Sequence, residues 1–429
     1  MGIAFLVLLA LLLGAAPARA QGPTITSSGL GTVVSPPSNG TYEITGGTRG
    51  GQNLFHSFGR FSVVAGETAL FMNTTPNLVT RNILSRVTLG DMSRIDGTID
   101  SLTYPGANLF LINPAGVIFG AGSTLNVGGS FHVSSADYIR FADGSTFCVA
   151  TCPNQQASAF SMADPASFGF LGPRGPIIVE GTALLVPAEK TLGIVGGAVT
   201  ISGAFLQAPS GRLHVASVTG GEVSIATLQG TTVSLGQVGI SGSALDASGD
   251  PHGSVVIRGG QVTIDGAFIN AQSFGELNNT STVGIDLGAA QRLEIINSST
   301  VGTETIAGGR GGDIRLAAPA VEVSGFSSVT AGTSGAGRGG NVDVTADTLR
   351  VTGGASITSV TQFGGGQGGD IRVTVGRPAD GVSGAVEVTD GAVVITRSLL
   401  GDNALLGTGA GSLTVRPRRN GDAGSGRRP

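Results

Sequence analysis

The chain has 429 residues, a formal net charge of −4 and only 12% charged residues, with Lys190 the sole lysine. That balance offers no basic surface for nucleic acid, and a 40% hydrophobic content excludes plain disorder. Glycine supplies 73 residues, more than twice the usual share of about 7%, without the Gly-X-Y period of collagen.

Helices tolerate so much glycine poorly, at ~1 kcal/mol each relative to alanine. A chain that turns every few residues needs it instead, for positions with φ above zero. Val, Ile and Thr fill the intervals, so the class is all-β.

In chain order, the apolar run from Ile3 to Leu13 precedes Gly14, Pro17 and an Ala18-Arg19-Ala20 cleavage signature. Residues 1–20 therefore read as a cleavable signal peptide, too short for a comfortable span of ~20 residues. A retained anchor is the alternative, and no cysteine near the site suggests a lipoprotein. Removing the leader leaves 409 residues at net −5, and the mature chain is expected to be soluble after export.

Between Asn108 and Gly144 short aliphatic runs are cut at close intervals by Gly, Asn-Pro or Asp-Gly. Asn113-Pro114-Ala115-Gly116 suits a type I turn, with Asn first, Pro second and Gly fourth. Strands are predicted on both sides, at Leu109 to Ile112 and Val117 to Phe119, with further short ones at Thr124 to Val127 and Ser130 to Val133.

The stretch INPAGVIFGAGSTLNVGGSF, with NLFHSFGRFSV at 53–63 and TPNLVTRNILSRVT at 75–88, resembles the haemagglutination-activity domain of filamentous-haemagglutinin-type exoproteins. The likeness spans about residues 25 to 215 and departs in two places: Thr75 stands where the family usually has Asn, and Ala115 replaces the second Asn of Asn-Pro-Asn-Gly. It implies two-partner secretion, in which a partner outer-membrane β-barrel with periplasmic POTRA-type domains reads the N-terminal domain while the chain is largely unfolded. By the same resemblance, Thr75, Pro76, Asn77, Leu78 and Asn113, Pro114, Ala115, Gly116 are the expected recognition residues; turns that only shape the fold are their other reading. A secreted adhesin or surface structural protein of a diderm bacterium follows, passing through the periplasm and meeting a host or matrix carbohydrate or protein receptor.

Cys148 and Cys152 are close enough for a small-loop disulfide in an oxidising compartment, with free thiols as the alternative. Two cysteines without a nearby His make no metal set, and no cofactor motif is present. Twelve of the eighteen Phe lie between Phe55 and Phe170, so a thicker, capped N-terminal core is expected. Leu171 to Lys190, with three prolines, reads as irregular corners, and a seam is placed near residue 215.

Beyond the seam the chain repeats. Gly-Gly-Asp at 311–313, Gly-Gly-Asn at 339–341 and Gly-Gly-Asp at 368–370 are spaced by 28 and 29 residues, each leading into an alternating strand: IRLAA, VDVTA, IRVTV. Two further strands complete each period. Three strands per 28 residues predict a single-stranded right-handed parallel β-helix of the pectin-lyase-like kind. At ~25 residues per coil, about sixteen coils and a rod on the order of 75 Å are expected. The predicted organisation is a signal peptide at 1–20, a two-partner secretion domain at 21–215, β-helix repeats at 216–415 and a basic disordered tail at 416–429.

Gly308 to Asp313 and Gly365 to Asp370 match the start of a calcium nonapeptide, but its apolar eighth position is Arg315 or Arg372; simple coil corners are the plainer reading. Asp91, Asp96 and Asp100, with Arg94, form the densest carboxylate group. They suit a polysaccharide lyase or glycosidase, the alternative function, or merely turn caps and surface ion pairs. The four His are scattered, and His56 and His132 are expected to be packing residues; a non-enzymatic role is favoured.

Overall fold

Alternation decides the architecture. In Asp313–Ala317 and Val342–Ala346 every second residue is aliphatic, so one face of the strand faces the interior and the other faces water. The computed structural model describes residues 24–155, 157–230, 232–277, 281–362, 366–376, 384–399 and 412–417. It is a right-handed parallel β-helix whose coils each lay down three strands. The signal-peptide segment and residues 418–429 of the tail lie outside the described residues.

The first face stacks Asn53–Phe61, Asn82–Val87, Asn108–Ile112, Phe131–Ser134, Thr191–Gly196, Arg212–Ser224, Ser254–Asp265, Val283–Ile296, Asp313–Ala317, Val342–Ala346, Ile371–Val375 and Leu413–Pro417 in parallel register. A continuous inward column runs up it, from Leu54 through Ile83, Leu109 and Phe131 to Val342 and Ile371. The second face carries Ser93–Ile95, Val117–Phe119, Ile177–Glu180 and Val199–Ser202, and continues to Ala385–Val388. On the third face, Thr41–Gly46 to Thr124–Asn126 form one parallel ladder and Ala183–Leu185 to Val393–Leu399 another. The two are joined by side chains, Ser123 Oγ to Thr182 Oγ1 at 3.0 Å and Thr182 Oγ1 to the Ser123 carbonyl at 2.8 Å.

Twelve levels among the described residues give a stack of about 50 Å, shorter than the sixteen coils expected. Part of the missing length is spent outside the coil. Tyr138–Phe141, Thr146–Cys148 and Pro165–Phe170 form an antiparallel sheet that also pairs with the far end of Arg212–Ser224. That last strand crosses residue 215, and the parallel ladder runs on either side of it. Leu171 to Lys190 likewise departs from expectation: Ile177–Glu180 and Ala183–Leu185 are regular coil strands, and Pro173, Pro176 and Pro187 lie outside them.

The extra sheet creates a second core. Phe55, Leu84, Phe110 and Ile112, which point outward from the first face, pack against Ile139, Phe141, Phe147 and Phe168. This explains the N-terminal excess of Phe: a strand buried on both sides needs apolar residues at every position. Asn53–Phe61 shows it, being buried at eight of nine positions.

The N-terminal end is capped. Ile25–Ser27 and Thr48–Gly50 both pair antiparallel with Asn53–Phe61, so the first coil presents no free strand edge there. At the other end, Val386, Val388, Val393, Ile395, Leu413 and Val415 are exposed. Arg416 and Pro417, expected to begin the disordered tail, extend the strand Leu413–Pro417 and pair with Thr374 and Val375.

Candidate functional site

The two proline turns, at Thr75 to Leu78 and at Asn113 to Gly116, fall at different corners and in opposite environments. Asn113 closes the turn as its sequence predicts: the Gly116 amide donates to the Asn113 carbonyl at 2.9 Å, and the Ala115 amide to Asn113 Oδ1 at 3.0 Å. Its side chain is wholly buried and donates from Nδ2 to the Asp91 carbonyl and to Ser93 Oγ, both at 2.9 Å. The turn is thus a brace tying the corner to the preceding coil. The following coil covers it, with the Gly175 amide donating to the Pro114 carbonyl at 2.8 Å and the Val117 amide to the Pro176 carbonyl at 3.0 Å. Gly116 has φ +109°, and a Cβ there would lie 2.5 Å from the Pro176 oxygen, so only glycine fits.

Thr75, Pro76, Asn77 and Leu78 lie in the exposed run 74–79. The Leu78 amide donates to the Thr75 carbonyl at 2.9 Å, which closes a four-residue turn. Its base is held from inside: Arg49 Nη2 donates to Thr75 Oγ1 at 3.1 Å and to Thr80 Oγ1 at 2.9 Å, while Asn73 Oδ1 accepts the Thr75 amide at 3.0 Å. At its tip Leu78 is 51% and Val79 70% exposed. The structure therefore does not bring the two sets of predicted residues into one site. It presents one as an accessible apolar turn and builds the other into the wall.

Sequence reasoning missed an asparagine ladder. Asn82 Nδ2 donates to Asn53 Oδ1 at 2.8 Å and Asn108 Nδ2 to Asn82 Oδ1 at 2.9 Å, joining the starts of three successive first-face strands. Asn53 Nδ2 reaches out to the Ser161 and Ala163 carbonyls at 2.9 and 2.7 Å. Its signal was present: each asparagine opens an apolar run, 29 and then 26 residues apart.

A disulfide joins Cys148 to Cys152, with Cα atoms 5.3 Å apart, at the end of the extra sheet's hairpin. Arg86 pins that hairpin to the coil. Its Nη1 donates to the Cys148 carbonyl, its guanidinium lies 5.1 Å from the Phe147 ring centroid, and Nε donates to Ser57 Oγ at 3.1 Å.

The carboxylate group is occupied in ion pairs and caps. Asp91 pairs with Arg60 at 2.8 Å, Asp96 with Arg94 at 2.7 Å, and Asp100 accepts from Asn126 Nδ2 at 2.9 Å. Among the described residues no group of three or more His, Cys, Asp or Glu is arranged to hold a metal ion. His56 and His132 are packed as expected. Burial pushes His56 down to about 4, with Arg49 adding to the effect; burial also takes His132 to about 3, with His214 contributing, and His214 to about 4. His132 stacks on Phe110 at 4.6 Å in the second core.

The TPS secretion domain model matches residues 22–245, just over half of the chain. The chain belongs to that family. It is an exoprotein of a two-partner secretion system, exported by way of the periplasm to the extracellular space through a cognate outer-membrane transporter. No curated protein matches it. Among solved structures it is similar to the HMW1 secretion domain from Haemophilus influenzae, with a TM-score of 0.56 at 15% identity over 88% of this chain and 98% of that one. That likeness concerns the fold. The filamentous hemagglutinin secretion domain matches with a TM-score of 0.34 at 14% identity, covering 92% of this chain and 100% of that one. Among the described residues no helix is long and apolar enough to cross a membrane.

Proposed function

We propose that this exoprotein is an adhesin or surface structural protein of a diderm bacterium, exported unfolded after loss of residues 1–20 and read in transit by POTRA-type domains of its transporter. Residues 21–215 are the read portion and 216–415 the shaft that meets a host or matrix receptor. The observation that carries the contact assignment is that Thr75, Pro76, Asn77 and Leu78 are exposed in the fold, so the folded wall does not require their side chains and they are left to serve recognition of the chain in transit. Asn113, Pro114, Ala115 and Gly116 serve the same process differently, as the brace that locks the corner once the chain folds outside.

Strand addition to a receptor sheet belongs to the unfolded chain in this reading, because the N-terminal edge of the first coil is already paired when folded. Outside, coil-by-coil stacking biases transit outward. The ion pairs that occupy Asp91 and Asp96, and the amide bonded to Asp100, support a binding role over a hydrolytic one.

The test is secretion in a diderm host with and without the cognate barrel, comparing wild type, Asn77→Ala and Asn113→Ala in medium and periplasm. Release is expected only with the barrel. Asn77→Ala should be released less while the purified protein melts as wild type. Asn113→Ala, which strips partners from buried groups, should lose about 1–3 kcal/mol of stability. Release without any barrel sinks the function; undiminished release of Asn77→Ala sinks the contact assignment.

A further inference from the structure

The three outer faces of the coil are chemically unlike beyond the N-terminal cap. On the first, Asp286, Arg315, Asp343 and Arg372 stand in one row at successive levels. On the second, Glu294, Glu322, Arg350 and Glu387 do the same. The third face, from Ala183–Leu185 through Phe268–Asn270 to residues 356–358, contains a single ionisable side chain, Asp246.

On that nearly uncharged face two aromatic rings, Phe205 and Phe268, are exposed. Phe205, Ala244 and Phe268 occupy one outward column at successive levels, and Phe205 is 37% and Phe268 50% exposed. The adjacent column holds Gln207, Asp246 and Asn270, with Gln207 Nε2 3.4 Å from Asp246 Oδ2. Hydroxyls continue both columns further up: Thr300, Ser328 and Ser356 in one, Thr330 and Thr358 in the other. With levels ~4.8 Å apart, the rings recur every second level, about 10 Å apart, with only a methyl group between them.

Exposed rings fixed on a rigid sheet, with amides and hydroxyls beside them and almost no charge, match the needs of a sugar chain. The C–H face of a pyranose packs on an aromatic face, and its hydroxyls exchange hydrogen bonds with amides, carboxylates and hydroxyls. An acidic glycan would call for cations, which this face lacks. We infer that the third face binds a neutral, extended β-linked polysaccharide lying along the coil axis. Alternate sugar rings, which present the same face in such a chain, stack on Phe205 and Phe268, and the ring between them lies over Ala244. The inference rests on the adhesin reading, names its receptor class and extends the receptor-meeting surface from the shaft back to Phe205 in the last coils of the read portion.

Purified exported protein is tested for retention on insoluble cellulose and chitin and by calorimetry with cellohexaose and chitohexaose, with polygalacturonate as the acidic comparator. Retention on at least one neutral polymer and none of the acidic one is expected. Phe205→Ala and Phe268→Ala should each weaken binding at least tenfold, with unchanged circular dichroism and melting. Arg350→Ala, on the second face, should bind as wild type. The inference is overturned if neither neutral polymer is bound, if both Phe variants bind as wild type, or if polygalacturonate is preferred. Barrel-dependent release of the same Phe variants is measured alongside. Normal release without glycan binding condemns only this inference, whereas release that ignores the barrel condemns the export reading.

Discussion

The N-terminal coils and the C-terminal repeats face the same problem at the corner where each first-face strand begins, and they solve it with similar residues used differently. At the N-terminal end the bond runs between side chains, Asn82 Nδ2 to Asn53 Oδ1 and Asn108 Nδ2 to Asn82 Oδ1. Each amide must donate and accept, so only asparagine serves. In the repeats the side chain accepts the next level's backbone amide: Asn341 N to Asp313 Oδ1 at 2.9 Å, Asp370 N to Asn341 Oδ1 at 2.9 Å, Ser412 N to Asp370 Oδ1 at 2.7 Å. An acceptor alone suffices there, which explains why Gly-Gly-Asp and Gly-Gly-Asn alternate freely. The preceding glycines have their own reason, since a Cβ at Gly340 would run into the Gly312 carbonyl of the level below.

This contrast is broken most severely by exchanging the residue types. Asn82→Asp places a carboxylate in a site only 2% exposed, facing the Asn53 oxygen and with no amide to donate. A loss of about 3–5 kcal/mol is expected, as for an uncompensated buried charge. Asp370→Asn keeps its acceptor oxygen and should lose less than about 1 kcal/mol. Denaturant midpoints of the two variants check both. Equal losses would show that the two ladders are not chemically distinct.

Much of this was legible in advance, for a physical reason. Alternation and glycine spacing are local, so the three-strand coil, the repeat and the Asn113 turn could be read directly. The extra sheet could not, because Tyr138–Phe141 and Pro165–Phe170 carry the same short apolar pattern as coil strands. What places them outside is contact at long range, such as Ile139 opposite Phe168. Counting them as coils, and allowing ~25 residues per coil where the repeats run at 28 and 29, inflated the expected length. Nor could the sequence separate the two proline turns. Asn113 is buried because the turn at Gly175 and Pro176 stacks over it, far along the chain, whereas nothing of the kind covers Asn77.

Acid offers a milder way to sharpen the comparison. Burial holds His56, His132 and His214 neutral in the folded state, with folded values of about 4, 3 and 4, while the unfolded chain takes up protons near 6.5. Folded values below the unfolded one mean that the unfolded state binds more protons in this window. Stability is therefore full above about pH 6.5 and falls as pH drops toward the folded values. At pH 5 each of these histidines costs about 2 kcal/mol. All three lie at or before Arg212–Ser224, so hydrogen exchange should show the N-terminal coils opening first between pH 7 and 5. His132→Gln should lose about 2 kcal/mol less over that interval than wild type. A uniform acid response along the coil would overturn this assignment.

The smallest effect concerns a row that only the repeats possess. Asp286, Arg315, Asp343 and Arg372 alternate in sign at successive levels of the first face, and Arg372 Nη1 lies 3.0 Å from Asp343 Oδ1. The Arg372–Asp343 pair is half-exposed and worth little by itself. Alternation nevertheless penalises one error to which a solenoid of near-identical coils is prone: skipping a level would set Asp286 against Asp343, or Arg315 against Arg372. The N-terminal coils have less need of it, because the extra sheet packs on the outward rings of particular levels and so distinguishes them. Arg315→Ala should therefore change stability by less than about 0.5 kcal/mol, and Arg315→Asp, which lines up three carboxylates, should cost about 1 kcal/mol at low salt. Because the row is exposed, 1 M salt should erase most of that difference. Refolding yield at low salt is the more telling readout. If Arg315→Asp refolds as completely as wild type, the row contributes only its small pairwise energies, and correct stacking must be set by the glycine columns and the carboxylate-to-amide ladder instead.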